Sequence, residues 1–391
     1  MSDLVVGEVD DDVADLARIA DRWLRDHSPV GRVRDYLYGP PGVSFDRSLW
    51  AEQAGLGWTS LAVPESLGGA GLTSTAAGRL VEVCGRYLTP EPVLSTICLA
   101  TPVLLAHQSE QEASRVLHGV ATGELVVTVA VPRAGALVSG ELEVRAEEYE
   151  HGWRLAGRAT VLDIPGADLI LVPAAVPGGC RWFLVDPDEA NGPWRSRTLL
   201  DGRRCTPLDF AGAELSADRA LGPATEWGSA LDPILTTGAA LVSAWLLGLA
   251  ERAFELTVEY LKIRRQFGAL IGSYQGLQHR ASRMYCDLEV TRSVVESAIE
   301  AAAAGLPNAP LEASSAKARA GDLALHVTAE AIQLHGGIGM TEEADVGLYF
   351  KAARVADHVA GDHQFHRSRA GLLLGIDTVG DQLTSQEARH D

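Results

Sequence analysis

The sequence predicts a mostly helical α+β protein in which two helical layers enclose a small β-barrel or sheet. Three observations support this fold class. Helical periodicity runs from about Asp10 to Ala121, short β-rich stretches occupy residues 123–226, and helical periodicity then returns. With 391 residues, of which 47% are apolar, the chain is long enough to form several packed units.

The first unit is predicted to be a helical domain over residues 1–122. Val13, Leu16, Ile19 and Leu24 recur at three- and four-residue steps, which is the spacing of one buried helix face. Later helical stretches are separated by proline and glycine residues, which interrupt helices. We therefore expect several helices before the β-rich part of the chain begins.

The second unit is predicted to be a β domain over residues 123–226. Its short β-branched or alternating runs lie between glycine and proline turns, and they read GELVVTVAV, ELEVRAEEY, GWRLAG, DLILVPAA and RWFLVDP. A compact sheet or barrel is the structure that such runs favour.

The third unit is predicted to be a helical domain over residues 227–376. Met284, Leu288 and Val295 lie on one face of a long helix, and alanine-rich helices follow. Residues 377–391 form a polar tail.

Charge and cysteine content limit the partners and the compartment. Lys and Arg number 33 against 52 Asp and Glu, for a formal net charge of −19, so the overall field repels nucleic acid and anionic membranes. An anionic ligand therefore needs a local basic site. The five cysteines form neither a CxxC motif nor an even set, which argues against disulfides and thiolate zinc sites; they are Cys84, Cys98, Cys180, Cys205 and Cys286.

The sequence also predicts a cytoplasmic protein without a membrane span. The acidic N-terminus lacks the basic and apolar regions of a secretory signal. The longest apolar run, Gly238 to Ala250, is shorter than the roughly 20 residues that a membrane helix needs. We expect it to be a buried helix.

Three glycine-containing segments are candidates for function. VPESLGGAGLT (63–73) is typical of a tight loop, in which glycine permits a left-handed backbone. YLKIRRQFG (260–268) ends a long helix in cations, which either complement the helix dipole in solvent or let Arg264 bind a phosphate. AIQLHGGIGMTEE (331–343) is either a helix cap or a loop that brings a ligand against backbone amides.

In this order and spacing, the three segments resemble motifs of the acyl-CoA dehydrogenase family. The resemblance covers roughly residues 10–375 and implies an N-terminal helical domain, a middle β domain and a C-terminal four-helix bundle. It also implies FAD, an acyl-CoA substrate and an acceptor similar to electron-transfer flavoprotein. In the family, a carboxylate removes the α-proton of the thioester while the β-hydrogen leaves as hydride to the flavin.

The resemblance assigns one set of residues to the FAD of a neighbouring subunit, across a dimer interface. These residues are Arg264, Phe267, Gln275, Gln333, Gly336 and Gly337. All of them retain the family pattern.

The catalytic base of the family is missing at both of its known positions. Ala360 occupies the position of the usual Glu, and Gly238 lies at or beside the alternative position on the long helix. Asp362, two residues further along the chain, is a candidate that could substitute as the base. Loss of a positioned base costs about 10²–10⁴-fold in rate.

The β domain departs from the family as well. Its VAVPRAG segment (129–135) lacks the hydroxyl and acid of the family motif, and the flavin-facing aromatic and threonine correspond to Val161 and Asp163. A carboxylate there is electrostatically unfavourable for a reduced flavin.

These departures predict the base-lacking subunit of a heterotetrameric acyl-CoA dehydrogenase, with a homologous partner that carries the base. Three alternatives stay open: a homo-oligomeric dehydrogenase with a relocated base, either Asp362 or another acid, a flavin-dependent monooxygenase of the same fold, and a structural or thioester-binding protein without flavin. His358, His363 and His366 have the spacing H-x4-H-x2-H, which lacks the i,i+4 pairing of helix-borne zinc ligands, so no metal site is predicted.

Overall fold

The structure is a computed structural model that describes residues 2–39, 45–131, 142–163, 165–190 and 195–376, with the side chains from residue 13 onward. Residues 132–135 of the VAVPRAG segment and the predicted polar tail, 377–391, lie outside the described residues.

The N-terminal part of the chain is helical up to Ala121. Its helices are α1 (Ser2–His27), α2 (Val33–Tyr38), α3 (Arg47–Gly55), α4 (Ser74–Tyr87), α5 (Thr101–Ala106) and α6 (Gln111–Ala121). A π-helix, Val93–Ala100, leads directly into α5, and all eight of its residues are buried. π-helical turns are rare and concentrate at functional sites.

The middle of the chain forms one mixed sheet. Its strands are β1 (Val127–Val129), β2 (Val144–Tyr149), β3 (Gly152–Leu162), β4 (Leu169–Val176), β5 (Gly179–Val185), β6 (Arg197–Thr198), β7 (Arg204–Asp209), β8 (Ala213–Ser216) and β9 (Ala220–Thr225). The strand order is β6-β7-β3-β2-β4-β5-β9, with β1 parallel to β4 and β8 antiparallel to β3. A separate hydrophobic cluster that includes Leu155, Phe183 and Phe210 fills the interior of the sheet.

The C-terminal part is a helical bundle with one small hairpin. Its elements are α7 (Trp227–Pro233), α8 (Ala239–Ile263), β10 (Arg265–Gln266), β11 (Ala269–Leu270), α9 (Gln275–Ala303), α10 (Ala309–His335), α11 (Val346–Asp357) and α12 (His363–Leu373). A second π-helical turn, Ile234–Gly238, joins α7 to α8.

Helix α8 is the central helix of the bundle. Within the described part of the chain, Trp227–Ile263 is the one stretch long and apolar enough to span a bilayer, and 89% of its most apolar window is buried in protein. The burial of Gly238 to Ala250 agrees with the buried helix that the sequence predicts.

Helices α4 and α8 contact each other through their backbones. A Cβ atom on Gly85 would overlap the carbonyl oxygen of Trp245, and one on Gly248 would overlap that of Glu82. Ion pairs border this contact, such as Arg86 to Glu255 at 2.8 Å. Because no side chain separates the two helices, the N-terminal helices and the bundle share one hydrophobic core.

The predicted fold class is confirmed: helices precede and follow a central sheet. The last N-terminal helix ends at Ala121 and the last strand of the sheet ends at Thr225. Helix α1 begins at Ser2, earlier than the periodicity near Asp10 indicates.

We expect Gly248→Ala to destabilise the protein by about 1–3 kcal/mol, because the added methyl group forces α4 and α8 apart. Gly371→Ala is the matched control, since a Cβ at Gly371 in α12 meets no atom within 4 Å. This control should be neutral or stabilising by up to about 1 kcal/mol. Chemical denaturation of both variants measures the difference, and equal stabilities would contradict the role given to Gly248.

Candidate functional site

The β10–β11 hairpin presents an aromatic side chain at the end of α8. Phe267 and Gly268 form its two-residue turn, and both have positive φ, +52° and +80°. A turn with two such residues is the type that fits the twist of a short hairpin. The left-handed backbone conformation costs free energy for a residue other than glycine. The Phe267 side chain is 92% exposed, so burial does not offset this cost. Its conformation therefore gains nothing from packing within the described chain.

The glycine-rich loop Gly336–Met340 follows α10. Gly336 has φ +65° and ψ −140°, a conformation that only glycine adopts readily. Gly339 is needed for packing, because a Cβ there would lie 2.5 Å from the carbonyl oxygen of Ile332. Gly337 is different: it is exposed, and a Cβ on it would meet nothing within 4 Å. The fold itself does not require glycine at this position.

The hairpin and the loop follow the ends of two helices that contact each other, α8 and α10, and we call them the bundle tip (Arg265–Leu270 and Gly336–Met340). The rings of Tyr260 in α8 and His335 in α10 stack with their centroids 4.4 Å apart and their planes at 20°. The start of α9 is also joined to the hairpin, because the Tyr274 hydroxyl donates to the Gln266 carbonyl oxygen at 3.1 Å.

All six residues that the resemblance assigns to FAD lie at or beside the bundle tip and are exposed. They are Arg264 at the end of α8, Phe267 in the turn, Gln275 at the start of α9, Gln333 near the end of α10, and Gly336 and Gly337 in the loop. Large apolar side chains surround them, including Ile263 and Met340, which are 74% and 79% exposed. Exposed apolar groups clustered around polar ones are typical of an interface.

The bundle tip carries exposed donor groups that fit an anionic ligand. The Arg264 guanidinium has no hydrogen bond or ion pair to any described residue. Guanidinium, carboxamide and glycine N–H groups are donors suited to phosphate oxygens. The open side of Gly337 allows a ligand to contact the backbone directly.

The N-terminal glycine segment, residues 63–73, is a tight loop, as its composition predicts. Backbone hydrogen bonds close it, including Gly71 N to the Val63 carbonyl oxygen at 2.9 Å. A Cβ on Gly69 would overlap that same carbonyl group of Val63. Packing within the chain therefore accounts for its glycines.

The loop that contains Ala360 is buried and is held by a lysine and a histidine. Ala360 is inaccessible to solvent and has φ +60°. The buried Lys317 amine donates to the carbonyl oxygens of Asp357 at 2.6 Å and Gly361 at 2.8 Å. Burial lowers the pKa of Lys317 to about 8. His366 Nε2 donates to the Ala360 carbonyl oxygen at 2.7 Å, and burial lowers the pKa of His366 to about 3, so the ring is neutral.

Gly238, which the resemblance gives as the alternative position of the base, is packed against the π-helix Val93–Ala100. Gly238 is buried, and a Cβ on it would lie 2.9 Å from the Cys98 carbonyl oxygen and 3.4 Å from Leu99 Cδ2. Even alanine would therefore displace backbone at this position. A longer acidic side chain has no space there.

Asp362, the candidate for a relocated base, caps a helix. Its Oδ1 accepts from the Phe365 N–H of α12 at 2.8 Å, and its Oδ2 lies 3.9 Å from His358 Nδ1. A carboxylate at this position stabilises the helix N-terminus. His363 Nδ1 is 2.7 Å from Asp357 Oδ2. These histidine and aspartate side chains thus hold the loop in place.

The two β-domain positions assigned to the flavin ring lie inside the chain. Val161 is inaccessible to solvent and forms a bridge with Ala130. Asp163 is also buried, with φ +58°, and accepts a hydrogen bond from Ser95 Oγ at 2.9 Å. Burial raises the pKa of Asp163 to about 6, although Arg203 opposes this shift. A buried carboxyl hydrogen-bonded within its own chain does not fit the flavin-facing position.

Arg203 is a buried residue that the sequence analysis missed. It pairs with Asp201 at 2.5 Å, donates to the Thr89 carbonyl oxygen at 3.3 Å, and lies over the Trp245 ring with its carbon 5.0 Å from the centroid. It therefore fixes the β6–β7 connection against α8. Lys317 was missed as well, although a lone lysine among small residues, SSAKARAG, is a signal of a buried cation.

Comparison with known proteins gives consistent matches along the chain. The profile of "Acyl-CoA dehydrogenase, N-terminal domain" matches residues 39–124, and that of "Acyl-CoA dehydrogenase, C-terminal domain" matches residues 227–371. Acyl-CoA dehydrogenase IpdE2 of Mycobacterium tuberculosis is 32% identical over 335 residues, which cover 84% of this chain and 86% of that protein. Acyl-CoA dehydrogenase FadE27 of the same species is 29% identical over 84% of this chain and 88% of its own length.

Two solved structures are similar over nearly the whole chain. A variant of the Tcur3481-Tcur3483 steroid ACAD has a TM-score of 0.84 and 31% identity, covering 93% of this chain and 98% of the other. The ChsE4-ChsE5 complex from Mycobacterium tuberculosis has a TM-score of 0.84 and 26% identity, covering 94% and 98%.

We expect Asp163→Asn to stabilise the protein at neutral pH. A carboxyl whose pKa is higher in the folded state binds its proton more tightly there, so the stability it contributes is lost as the pH rises from about 4 to about 6. The stabilisation at pH 7 should be on the order of 2–3 kcal/mol and should shrink toward pH 4. Denaturation at a series of pH values measures it, with the exposed Asp188→Asn as the control. A difference that does not depend on pH would contradict the effect of burial on the Asp163 carboxyl.

Proposed function

Because the chain belongs to the acyl-CoA dehydrogenase family, we propose that it is the base-lacking subunit of a FAD-dependent enzyme that dehydrogenates acyl-CoA thioesters. In this proposal a homologous subunit carries the catalytic base and most of the flavin site, and this chain contributes the bundle tip. One observation carries the proposal. Ala360 and Gly238 are buried without a carboxylate, whereas Arg264 and Gly337 are exposed and uncovered.

Neither of the two base positions can be served by a nearby acid in its present conformation. The Asp362 carboxylate accepts a hydrogen bond at the N-terminus of α12. The Lys317 amine donates to the Gly361 carbonyl oxygen and so holds the loop that contains Ala360. A general base must reach the substrate proton within hydrogen-bond distance. The proton transfer is therefore assigned to the partner subunit.

The bundle tip is suited to hold the phosphate part of FAD that is bound mainly by the partner. Arg264 would pair with a phosphate oxygen, and the N–H groups beside Gly336 and Gly337 would donate to the same anion. Phe267 would pack against the partner surface and exclude water. FAD, when bound, supplies the acceptor for the β-hydride.

The names of two similar proteins support a heteromeric assembly and a bulky substrate. One is a steroid ACAD named for two components, Tcur3481 and Tcur3483, and the other is a complex of ChsE4 and ChsE5. We propose by analogy that the complete enzyme acts on a ring-bearing acyl-CoA and passes electrons to an acceptor similar to electron-transfer flavoprotein. This chain has no open acyl pocket at Ala360 or Gly238 from which to identify the acyl group.

Co-expression with a base-bearing homologue tests the proposal. We expect a stable hetero-oligomer with fewer than one FAD per chain, and little FAD on this chain alone, because Val161 and Asp163 are buried. Flavin absorbance against protein concentration measures the ratio. In the complex, Arg264→Gln should raise the Kd for FAD about tenfold or more, since it removes a charged hydrogen bond.

Arg265→Gln is the matched control, because Arg265 carries the same charge next to Arg264 and lies 3.4 Å from the Gly268 carbonyl oxygen of its own hairpin. It should change the Kd much less. A homo-oligomer of this chain with one FAD per chain and full activity would overturn the proposal. Turnover that requires oxygen and a flavin reductase would instead favour the monooxygenase alternative.

Restoring the missing acid should not restore activity to this chain alone. We expect Ala360→Glu to lower the melting temperature by several degrees, because a carboxylate is forced into a closed interior at a left-handed position. Activity with a panel of acyl-CoA thioesters and an artificial electron acceptor should remain absent. Asp362→Ser, which keeps a helix cap, should leave the activity of the hetero-oligomer unchanged. Loss of that activity would revive Asp362 as a base.

A further inference from the structure

The stacked pair Tyr260–His335 occupies the junction of the bundle tip. Tyr260 lies one turn before Arg264 on α8, and His335 directly precedes Gly336 and Gly337. Each ring therefore belongs to a helix that ends in one part of the tip. The contact fixes the orientation of the His335 ring relative to both parts.

The hydrogen bonding of His335 determines which ring nitrogen carries its proton. His335 Nδ1 is 2.7 Å from the carbonyl oxygen of Ala331, and a carbonyl oxygen only accepts. Nδ1 therefore bears the hydrogen and donates it. Burial lowers the pKa of His335, so the ring is neutral. Nε2 then has a lone pair and acts only as an acceptor.

No described residue donates a hydrogen bond to His335 Nε2. The ring is half-buried, so part of it remains accessible beside the loop. The neighbouring groups that face a ligand, the Arg264 guanidinium and the N–H groups of the glycines, are donors. These donors suit phosphate oxygens. The acceptor His335 Nε2 beside them suits a donor group of the same ligand.

On a dinucleotide such as FAD, the exocyclic amine of adenine is a donor attached to a flat ring. The open face of Gly337 leaves space for a flat ring close to the backbone. We propose that His335 Nε2 accepts a hydrogen bond from this amine, which makes His335 a specificity-determining residue for the adenine of FAD. Tyr260 is the positioning residue that orients the His335 ring. This inference rests on the proposed function, in which the tip binds the nucleotide half of a FAD held by the partner.

Binding of two dinucleotides to the flavin-free hetero-oligomer tests the assignment. The probes are FAD and its unsubstituted purine counterpart, in which a hydrogen atom replaces the exocyclic amine. We expect the wild-type complex to bind FAD about tenfold more tightly, because the analogue offers no donor to Nε2. Quenching of flavin fluorescence during titration measures both Kd values without turnover.

Two variants separate recognition of the amine from positioning of the ring. His335→Phe keeps an aromatic ring on Tyr260 but removes the acceptor, so the two probes should bind with similar Kd values. Tyr260→Leu removes the stack and should weaken both probes, and it should also reduce the preference for FAD because the His335 ring is no longer held. His335→Gln retains an acceptor oxygen and should recover part of the preference.

The outcomes distinguish this inference from the proposed function. A wild-type complex that binds FAD without discriminating against the analogue overturns the assignment of His335 and leaves the proposed function intact. Retained discrimination in His335→Phe also overturns it. If no hetero-oligomer forms or none binds flavin, the proposed function fails and the inference fails with it. If this chain alone binds FAD as a homo-oligomer, the proposed function fails, but the same titrations still decide the role of His335.

Discussion

The backbone contact between α4 and α8 is the constraint on which the rest of the structure depends. Gly85 and Gly248 allow the two helices to touch without intervening side chains. Trp245 of α8 meets Gly85 through its carbonyl oxygen, and its ring packs against Arg203. The contact joins the N-terminal helices to the bundle in one core. It also fixes the two ends of α8: Gly238 is buried against the π-helix, and the other end extends to the exposed hairpin.

The two ends of α8 have opposite chemical character. At the buried end, Ala360, Gly238 and Asp163 lie in an interior that leaves no accessible surface for a substrate. At the exposed end, Phe267 has a left-handed backbone conformation, and its side chain is exposed. The Arg264 side chain is also exposed and has no ion pair within the described part of the chain. Exposed apolar and cationic groups without contacts in their own chain are typical of a surface that binds a ligand or another subunit.

Much of the candidate site could be predicted from residue patterns, because its motifs are local. RRQFG and QLHGGIG each lie within one turn or loop. The residues of each motif are therefore adjacent in the sequence, and the pattern can be recognised without the structure. The roles of Lys317 and Arg203 could not be predicted in this way. Both donate hydrogen bonds to residues distant in the sequence, Lys317 to Gly361 and Arg203 to Thr89. The acceptors are backbone carbonyl oxygens, which every residue has, so no residue type indicates them.

By itself, the sequence determined the order of helices, sheet and helices, because periodicity and turn residues act over a few positions. It also determined that the acids expected at residues 360 and 238 are absent. Only the tertiary structure decided that these positions are closed, that Asp362 is a helix cap, and that Tyr260 and His335 stack. The physical reason is that burial, hydrogen-bond partners and ring contacts depend on residues brought together from distant parts of the chain, which no local pattern encodes.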